Sequence, residues 1–325
     1  MSQVAWLSLA LTLAAYAMAS VLGGLAVAAL SGATARLVIP AARRARLLLA
    51  LRLLPSAAGI VVSLGMVLPA FLWLQPRQSD EEVRGPLAVL ALAGLTLLAA
   101  GATRGIASCR ATRRLHDAWM ARGRPVALPD VPWAESRVVE HAFPIVGVVG
   151  IRRPRLVVTG QVQAVLSGEE WRAVVAHERA HVRSLDNLKS LALRFCPDLL
   201  AFLPAGRRLA QAWCAAVEDA ADDAVAARGR ADALHLASAL VKVGRLVPQG
   251  SELTALPVMG LTDGRLTERV QRLIEPRADA SVAPAEMLGW SLVGILGTLA
   301  WTALAAEPAL LQAVYEMAER VLLLP

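Results

Sequence analysis

Charge is scarce in this chain. Of its 325 residues only 18% are Asp, Glu, Lys or Arg, 56% are hydrophobic, and the mean hydropathy is +0.53. A soluble domain rarely has that balance, and the apolar residues lie in long uncharged runs, which implies an integral membrane protein with a polar insert. Cysteine is scarcer still. Cys109, Cys196 and Cys214 are odd in number, unevenly spaced and in no C-x-x-C pattern, which speaks for a reducing compartment and against a thiolate metal site. Internal repeats are absent, and so is any nucleic-acid recognition motif to accompany the net charge of +7 and the pI of about 10.3. The arginines cluster beside apolar runs, where anionic lipid and topogenic retention account for them, so the bilayer and not nucleic acid is the expected partner.

Val4 to Leu30 runs without a charge, long enough to cross about 30 Å of hydrocarbon. Ala17-Met18-Ala19 resembles a signal-peptide cleavage site, but no Lys or Arg precedes the run and it continues well past that point, which favours a retained span. A basic loop with Arg36, Arg43, Arg44 and Arg46 comes next. The second run is Leu47 to Leu74, with Arg52 expected to snorkel to the interface and Pro55 to mark the first turn or a kink. The third is Pro86 to about Ala102, followed by Arg104, Arg110, Arg113 and Arg114, and the fourth is Met287 to Ala306. The positive-inside rule then puts the amino terminus outside and the stretch between spans three and four in the cytoplasm, as expected of a multi-pass protein of the inner or plasma membrane. Three units are expected: 1–114 with three spans and a basic juxtamembrane segment, 115–280 as a cytoplasmic domain, and 281–325 with the fourth span and a short tail.

Within the domain, Leu115 to Arg122, with Trp119, can continue a helix, and Pro125 to Pro132 reads as a stiff extended linker. Ile145–Val149 and Arg155–Thr159 are β-rich and predict a strand pair. Such a pair is either a purely structural hairpin or an edge on which an extended peptide can add as a further strand. Ser167-Gly-Glu-Glu170 has the spacing of a capping box, after which Trp171, Val174, Val175, Val182 and Leu185 form an apolar helical stripe. Leu188 to Ala205 is apolar but broken by Lys189, Arg194, Pro197, Asp198 and Pro204; it predicts a loop or helix pair lying against the membrane face, with a further crossing as the alternative. Helices are predicted from about Arg207 to Arg228, closed by Gly229 as a C′ residue, and from about Ala231 to Val247.

Histidine occurs five times, and two of the five stand in His177-Glu178-Arg179-Ala180-His181. Histidines at i and i+4 leave one face of a helix together and can reach one metal ion, and Glu178 sits where a carboxylate can take a proton from metal-bound water. A catalytic zinc needs a third protein ligand, and Glu218 on the next long helix is the best-placed candidate, giving one Zn2+ per chain held by His177, His181 and Glu218. Asp222, at i+4 from Glu218, is expected to orient a ligand imidazole, and Asp186 to cap or brace the end of the metal helix. Asp219 and Asp223 read as a solvated face. His116 and His141 read as solvated or juxtamembrane, and His235 is structural or a transition-state stabiliser on a facing helix.

Three apolar runs before and one after such a domain, together with Pro144 to Thr159, Ala176-His-Glu-Arg-Ala-His-Val182, Asp186-Asn187, Glu218-Asp-Ala-Ala-Asp222 and Arg265 to Ile274, resemble the BlaR/MecR-type membrane metallopeptidases. The resemblance covers most of the chain. It implies a mainly α membrane protein with four transmembrane helices and a cytoplasmic gluzincin-like zinc-peptidase domain, a small β-hairpin or sheet plus helices, inserted between spans three and four. It also implies cleavage of the chain itself or of a cytoplasmic transcriptional repressor in response to an external signal, with Glu178 as catalytic acid/base and His177, His181 and Glu218 as ligands. Association with further copies of the chain is left open. The beta-lactam receptors of that family carry a penicillin-binding sensor after the last span, and only Glu307 to Pro325 follow Ala306 here, so a signal is expected through the spans, the tail or a partner. Two other readings stand beside this one: an HtpX- or CaaX-protease-like quality-control peptidase, and a non-catalytic signalling scaffold with a structural metal site. An intramembrane site-two-type protease fits less well, because Glu169, Glu170, Arg172, Arg179 and Arg183 make this helix too charged for lipid.

Overall fold

The computed structural model describes residues 3–34, 39–74, 85–126, 131, 134–247 and 263–275, with four further positions near the carboxyl end. Helix dominates. Three long helices come first: α1 (Gln3–Thr34), α2 (Ala41–Val62), which passes through one π-helical turn (Ser63–Val67) into α3 (Leu68–Leu74), and α4 (Gly85–Arg122). Each of these three stretches is long and apolar enough to cross a membrane. Many of their large side chains face outward, among them Leu22, Leu25, Ile60, Leu72, Val89, Leu92 and Leu95. Outward-facing apolar side chains on helices that satisfy their own backbone suit lipid as the solvent. The stretch expected to form the fourth span, 287–306, lies outside the described residues.

Two of the expected boundaries move. Helix α2 starts at Ala41, so Arg43, Arg44 and Arg46 are helical instead of lying in a loop, and Pro55 falls in the helix interior. Arginine is a good helix former, and a charged first turn extends an apolar helix into the interface at little cost. Helix α4 continues twenty residues past Ala102 to Arg122 and delivers Trp119, which is buried, to the polar domain.

That domain opens with a four-stranded sheet: β1 (Arg124–Pro125), β2 (Glu135–Val139), β3 (Val146–Val149) and β4 (Arg155–Thr159), in the order β1-β2-β4-β3. The expected strand pair is the antiparallel β3–β4 hairpin. The presumed linker contributes more than a spacer, since Arg124 and Pro125 pair with β2, and Val131 is buried in the main core. Strand β2 runs parallel to β4. The sheet is covered on both sides: Leu156 and Val158 face the core built by the helices that follow, whereas Val157, Val139 and Ile145 pack on Trp119 of α4. Burial on both faces explains why β4 is an unbroken apolar run and not an alternating one.

Among the described residues six helices follow, α5 (Gly160–Val165), α6 (Gly168–Arg183), α7 (Asp186–Phe195), α8 (Pro204–Ala226), α9 (Arg230–Arg245) and α10 (Asp263–Ile274), with a 3-10 turn at Leu199–Ala201. Gly229 does not terminate α8; it precedes α9 as its N-cap at φ 149°, backbone that glycine adopts without strain. The segment expected as a loop or helix pair against the membrane face forms two helices joined by an elbow. Helix α7 descends beside α4, the chain turns between Cys196 and Leu203, and α8 climbs back along α2. Val27 of α1, Leu48 of α2 and Leu200, Leu209, Trp213, Ala216 and Val217 of the elbow share one apolar cluster, so the long helices and the polar domain are packed together.

Candidate metal centre

Helix α6 is placed by its first turn. The Ser167 hydroxyl accepts the Glu170 N–H, and the Glu170 carboxylate accepts the Ser167 N–H at 2.7 Å, completing the capping box. The same carboxylate receives Ser238 Oγ at 2.6 Å and Lys242 Nζ at 2.8 Å from α9, which fixes the rotation of α6 about its axis. Burial works against charge on Glu170, yet these donors prevail and push its pKa down to about 2. With Trp171, Val174 and Val175 in the core, the next two turns present Glu178 in line with that stripe and His177 and His181 just off it.

His177, His181 and Glu218 each bring one ligand atom into a single group within 4.8 Å. The two Nε2 atoms are 3.1 Å apart, His177 Nε2 is 3.5 Å from Glu218 Oε2, and His181 Nε2 is 3.7 Å from Glu218 Oε1. Both imidazoles are held from behind. His181 Nδ1 meets Asp186 Oδ2 at 3.0 Å, and His177 Nδ1 lies 3.0 Å from Asp222 Oδ1, a contact at hydrogen-bond distance but bent off axis. Carboxylates at both Nδ1 atoms select the Nδ1–H tautomers and leave two Nε2 lone pairs facing each other. A proton or a metal ion is needed between them. Without metal, His177 carries the proton: burial opposes its charge, but Asp222 and Glu218 overcome that and push its pKa up to about 10. Glu218 is correspondingly held far below the usual carboxylate range, against burial, by His177 and Arg269.

The chain turns sharply to bring Asp186 back to His181. Leu185 takes a left-handed conformation at φ 55° and is 53% exposed, so the apolar stripe of α6 ends before it and not on it as its spacing suggested. A non-glycine residue at positive φ is uncommon and marks a turn over-determined by its surroundings. Asp186 is the first residue of α7 and also pairs with Lys189 at 3.3 Å; it braces the imidazole and does not cap α6.

Glu178 reaches the sheet. Its Oε2 accepts the Val148 N–H at 3.2 Å, and the Asn187 side-chain amide donates to the carbonyls of Val148 and Gly150, each at 3.0 Å. Strand β3 is an edge strand of the sheet, and these bonds occupy the outward N–H and C=O of Val148.

Helix α10 supplies what periodicity did not reveal. Arg269 is buried and clamps Asp222 with two bonds of 2.7 and 2.8 Å while reaching Glu218 at 3.0 Å. Arg272 and Arg265 both meet Asp219, and Arg272 also meets Asp223 at 2.6 Å. Asp219 and Asp223 are therefore ion-paired to α10, not a solvated face. The available signal was R-x-x-x-R-x-x-R on one amphipathic helix against E-D-x-x-D-D on another. His235 stays outside the cluster. It stands on α9, one turn before Ser238, which bonds Glu170 in the first turn of α6. His116 contacts Arg155 and Asp117, and His141 accepts the Phe143 N–H. Among known proteins, no family model, no curated protein and no solved structure matches this chain.

Proposed function

We propose that this chain is a membrane-embedded zinc endopeptidase that hydrolyses a peptide bond in a cytoplasmic protein, either a transcriptional repressor or the chain itself. The observation that carries the reading is the meeting of two Nε2 lone pairs and one carboxylate, with Glu178 next to the first histidine. Zinc bonded at 2.0–2.1 Å in a tetrahedron separates its ligand atoms by about 3.3 Å. The 3.1 Å between the two Nε2 atoms and the 3.5 and 3.7 Å from them to the two oxygens of Glu218 bracket that value, and the donor set of two imidazoles and a carboxylate suits the ion. Zinc held there would polarise the scissile carbonyl and acidify a water molecule.

The remaining work falls to the chain's own groups. Glu178 would take a proton from the attacking water and return it to the leaving amine. Asp186 and Asp222 keep each imidazole in the tautomer that offers Nε2, and Arg269 holds Asp222 and Glu218 in place. An extended substrate that adds along edge strand β3 would displace Glu178 and Asn187 from Val148. Purified full-length chain should contain about one zinc, and chelation should abolish peptide products that mass spectrometry maps from co-expressed cytoplasmic proteins or from the chain itself. Products that persist after chelation, or a chain without metal, would sink the reading.

Metal uptake should depend on pH. The His177 pKa in the metal-free chain is raised from 6.5 to about 10, so its contribution to stability is fully present below pH 6.5 and lost as pH rises through about 10. Zinc must expel that proton. Its apparent affinity is therefore expected to rise about tenfold per pH unit between roughly pH 7 and 9, measured by competition with a chromophoric chelator. A flat profile would show that no ligand proton is displaced.

A further inference from the structure

The elbow between α7 and α8 is tied to every one of the three long helices by a polar contact. From α1, Tyr16 Oη donates to the Pro197 carbonyl at 2.6 Å. From α2, Arg52 Nη1 and Ser56 Oγ both reach Asp198 Oδ2 at 2.7 Å. From α4, Arg104 Nη2 donates to the Cys196 carbonyl at 2.7 Å, and its guanidinium lies over the Phe202 ring. Gly101 and Gly105 of α4 make room for the elbow: a Cβ at Gly101 would stand 2.7 Å from Pro197 Cβ, and one at Gly105 would stand 2.3 Å from the Phe195 ring.

Arg52 is 5% exposed and Asp198 is 0% exposed, within apolar stretches of the chain. The sequence alone suggested that Arg52 would snorkel to the interface. It turns inward instead, because a desolvated carboxylate 146 positions away offers a complete partner. Ionisable groups at membrane depth are costly and survive where they are paired and do something.

Both arms of the elbow end at the metal cluster. Helix α7 starts with Asp186, which holds His181, and α8 carries Glu218 and Asp222. Helix α7 thus meets the histidine pair on α6 through Asp186, and α8 brings Glu218 to it. From this geometry we infer that the Arg52–Asp198–Ser56 contact is a latch through which the relative positions of the membrane helices set the spacing of the zinc ligands, with Asp198, Arg52 and Ser56 as positioning residues. The inference rests on the metal-site reading above and adds its control: a stimulus that shifts α2 against α1 or α4 changes metal-site geometry without touching the ligands. Stiff helices packed along their length pass such a shift on, whereas a flexible loop would absorb it.

The test uses the full-length chain in lipid nanodiscs, as wild type, Asp198→Asn, Ser56→Ala and Tyr16→Phe. Hydrogen exchange is followed without metal in peptides covering α7 and α8, with β2 to β4 as the internal reference, and zinc affinity is measured by chelator competition. In Asp198→Asn, exchange in α7 and α8 should accelerate about tenfold or more with the sheet unchanged, and zinc affinity should fall about tenfold or more. Ser56→Ala should give the same pattern with a smaller amplitude. Wild-type exchange in α7 and α8 together with wild-type zinc affinity in folded Asp198→Asn overturns the latch, and so does equal acceleration of sheet and helices, which marks a loss of stability alone. If Asp198→Asn does not fold, Ser56→Ala and Tyr16→Phe decide by the same criteria. A wild-type chain that takes up no zinc removes the peptidase reading, while the exchange measurement still decides the latch.

Discussion

On the proposed peptidase reading, Glu178→Ala is expected to retain zinc binding and to lose peptide-bond cleavage by about 10²- to 10⁴-fold, the range that a positioned proton-transfer group supplies. The two effects separate because Glu178 is turned toward β3 while the ligand atoms of His177 and His181 face Glu218. Alanine also removes the acceptor of the Val148 N–H, at a cost of about 1 kcal/mol, so the companion variant Glu178→Gln is needed. Its amide oxygen can still accept that N–H but cannot take a proton at neutral pH. Equal loss of cleavage in both variants, with one metal retained in each, assigns the defect to proton transfer. Undiminished cleavage in Glu178→Gln would end the assignment of this residue as the base.

Arg269→Leu is expected to destabilise the metal-free chain by about 3–5 kcal/mol, the consequence of removing one partner from a buried charge network. Arg269 neutralises Asp222 and Glu218 together, and burial holds its own pKa down while the two carboxylates raise it above the ordinary arginine value. Zinc should restore part of the lost stability, since a divalent ion offsets the stranded charge of Glu218 but not that of Asp222. The double variant Arg269→Leu/Asp222→Leu should recover more than the single one without metal, because an apolar pair of similar volume avoids desolvating charge. Thermal denaturation with and without added zinc reads both effects; a single variant as stable as wild type would show that the pair contributes nothing.

Local patterns were legible in the sequence. The capping box of Ser167 and Glu170 is an i,i+3 relation and the histidine pair an i,i+4 relation, and both follow from helix geometry alone. Burial of Trp171, Val174 and Val175 is likewise a matter of spacing. Contacts between distant positions left weaker traces. Arg269 finds Asp222 across 47 positions, and nothing in the periodicity of either helix says which acid meets which arginine. Strand β2 begins just after Pro125 to Pro132, which reads as a stiff linker, and pairing with β1 and β4 from elsewhere in the chain gives it a reason to be extended. Leu185 fits the apolar stripe by spacing; the need to return Asp186 to His181 overrides it. Arg52 was misread for a related reason, since hydropathy assigns a charge to the nearest water and cannot anticipate a carboxylate brought in from elsewhere.

Helix α4 joins an apolar segment to an arginine-rich one without a break, and Trp119 near its far end is locked under the sheet. The stretch from Ala102 to Trp119 rises about 25 Å as one rigid rod. Angular phase is thereby transmitted along with height: one extra residue in that rod would swing Trp119 by about 100° and strip Val139, Ile145 and Val157 of their cover. The length of this rod is quantised. Only steps close to whole helical turns keep the sheet facing its support, and each such step would lift it by about 5 Å while the elbow at Asp198 stayed where it was. Rod and elbow must therefore change length together or not at all.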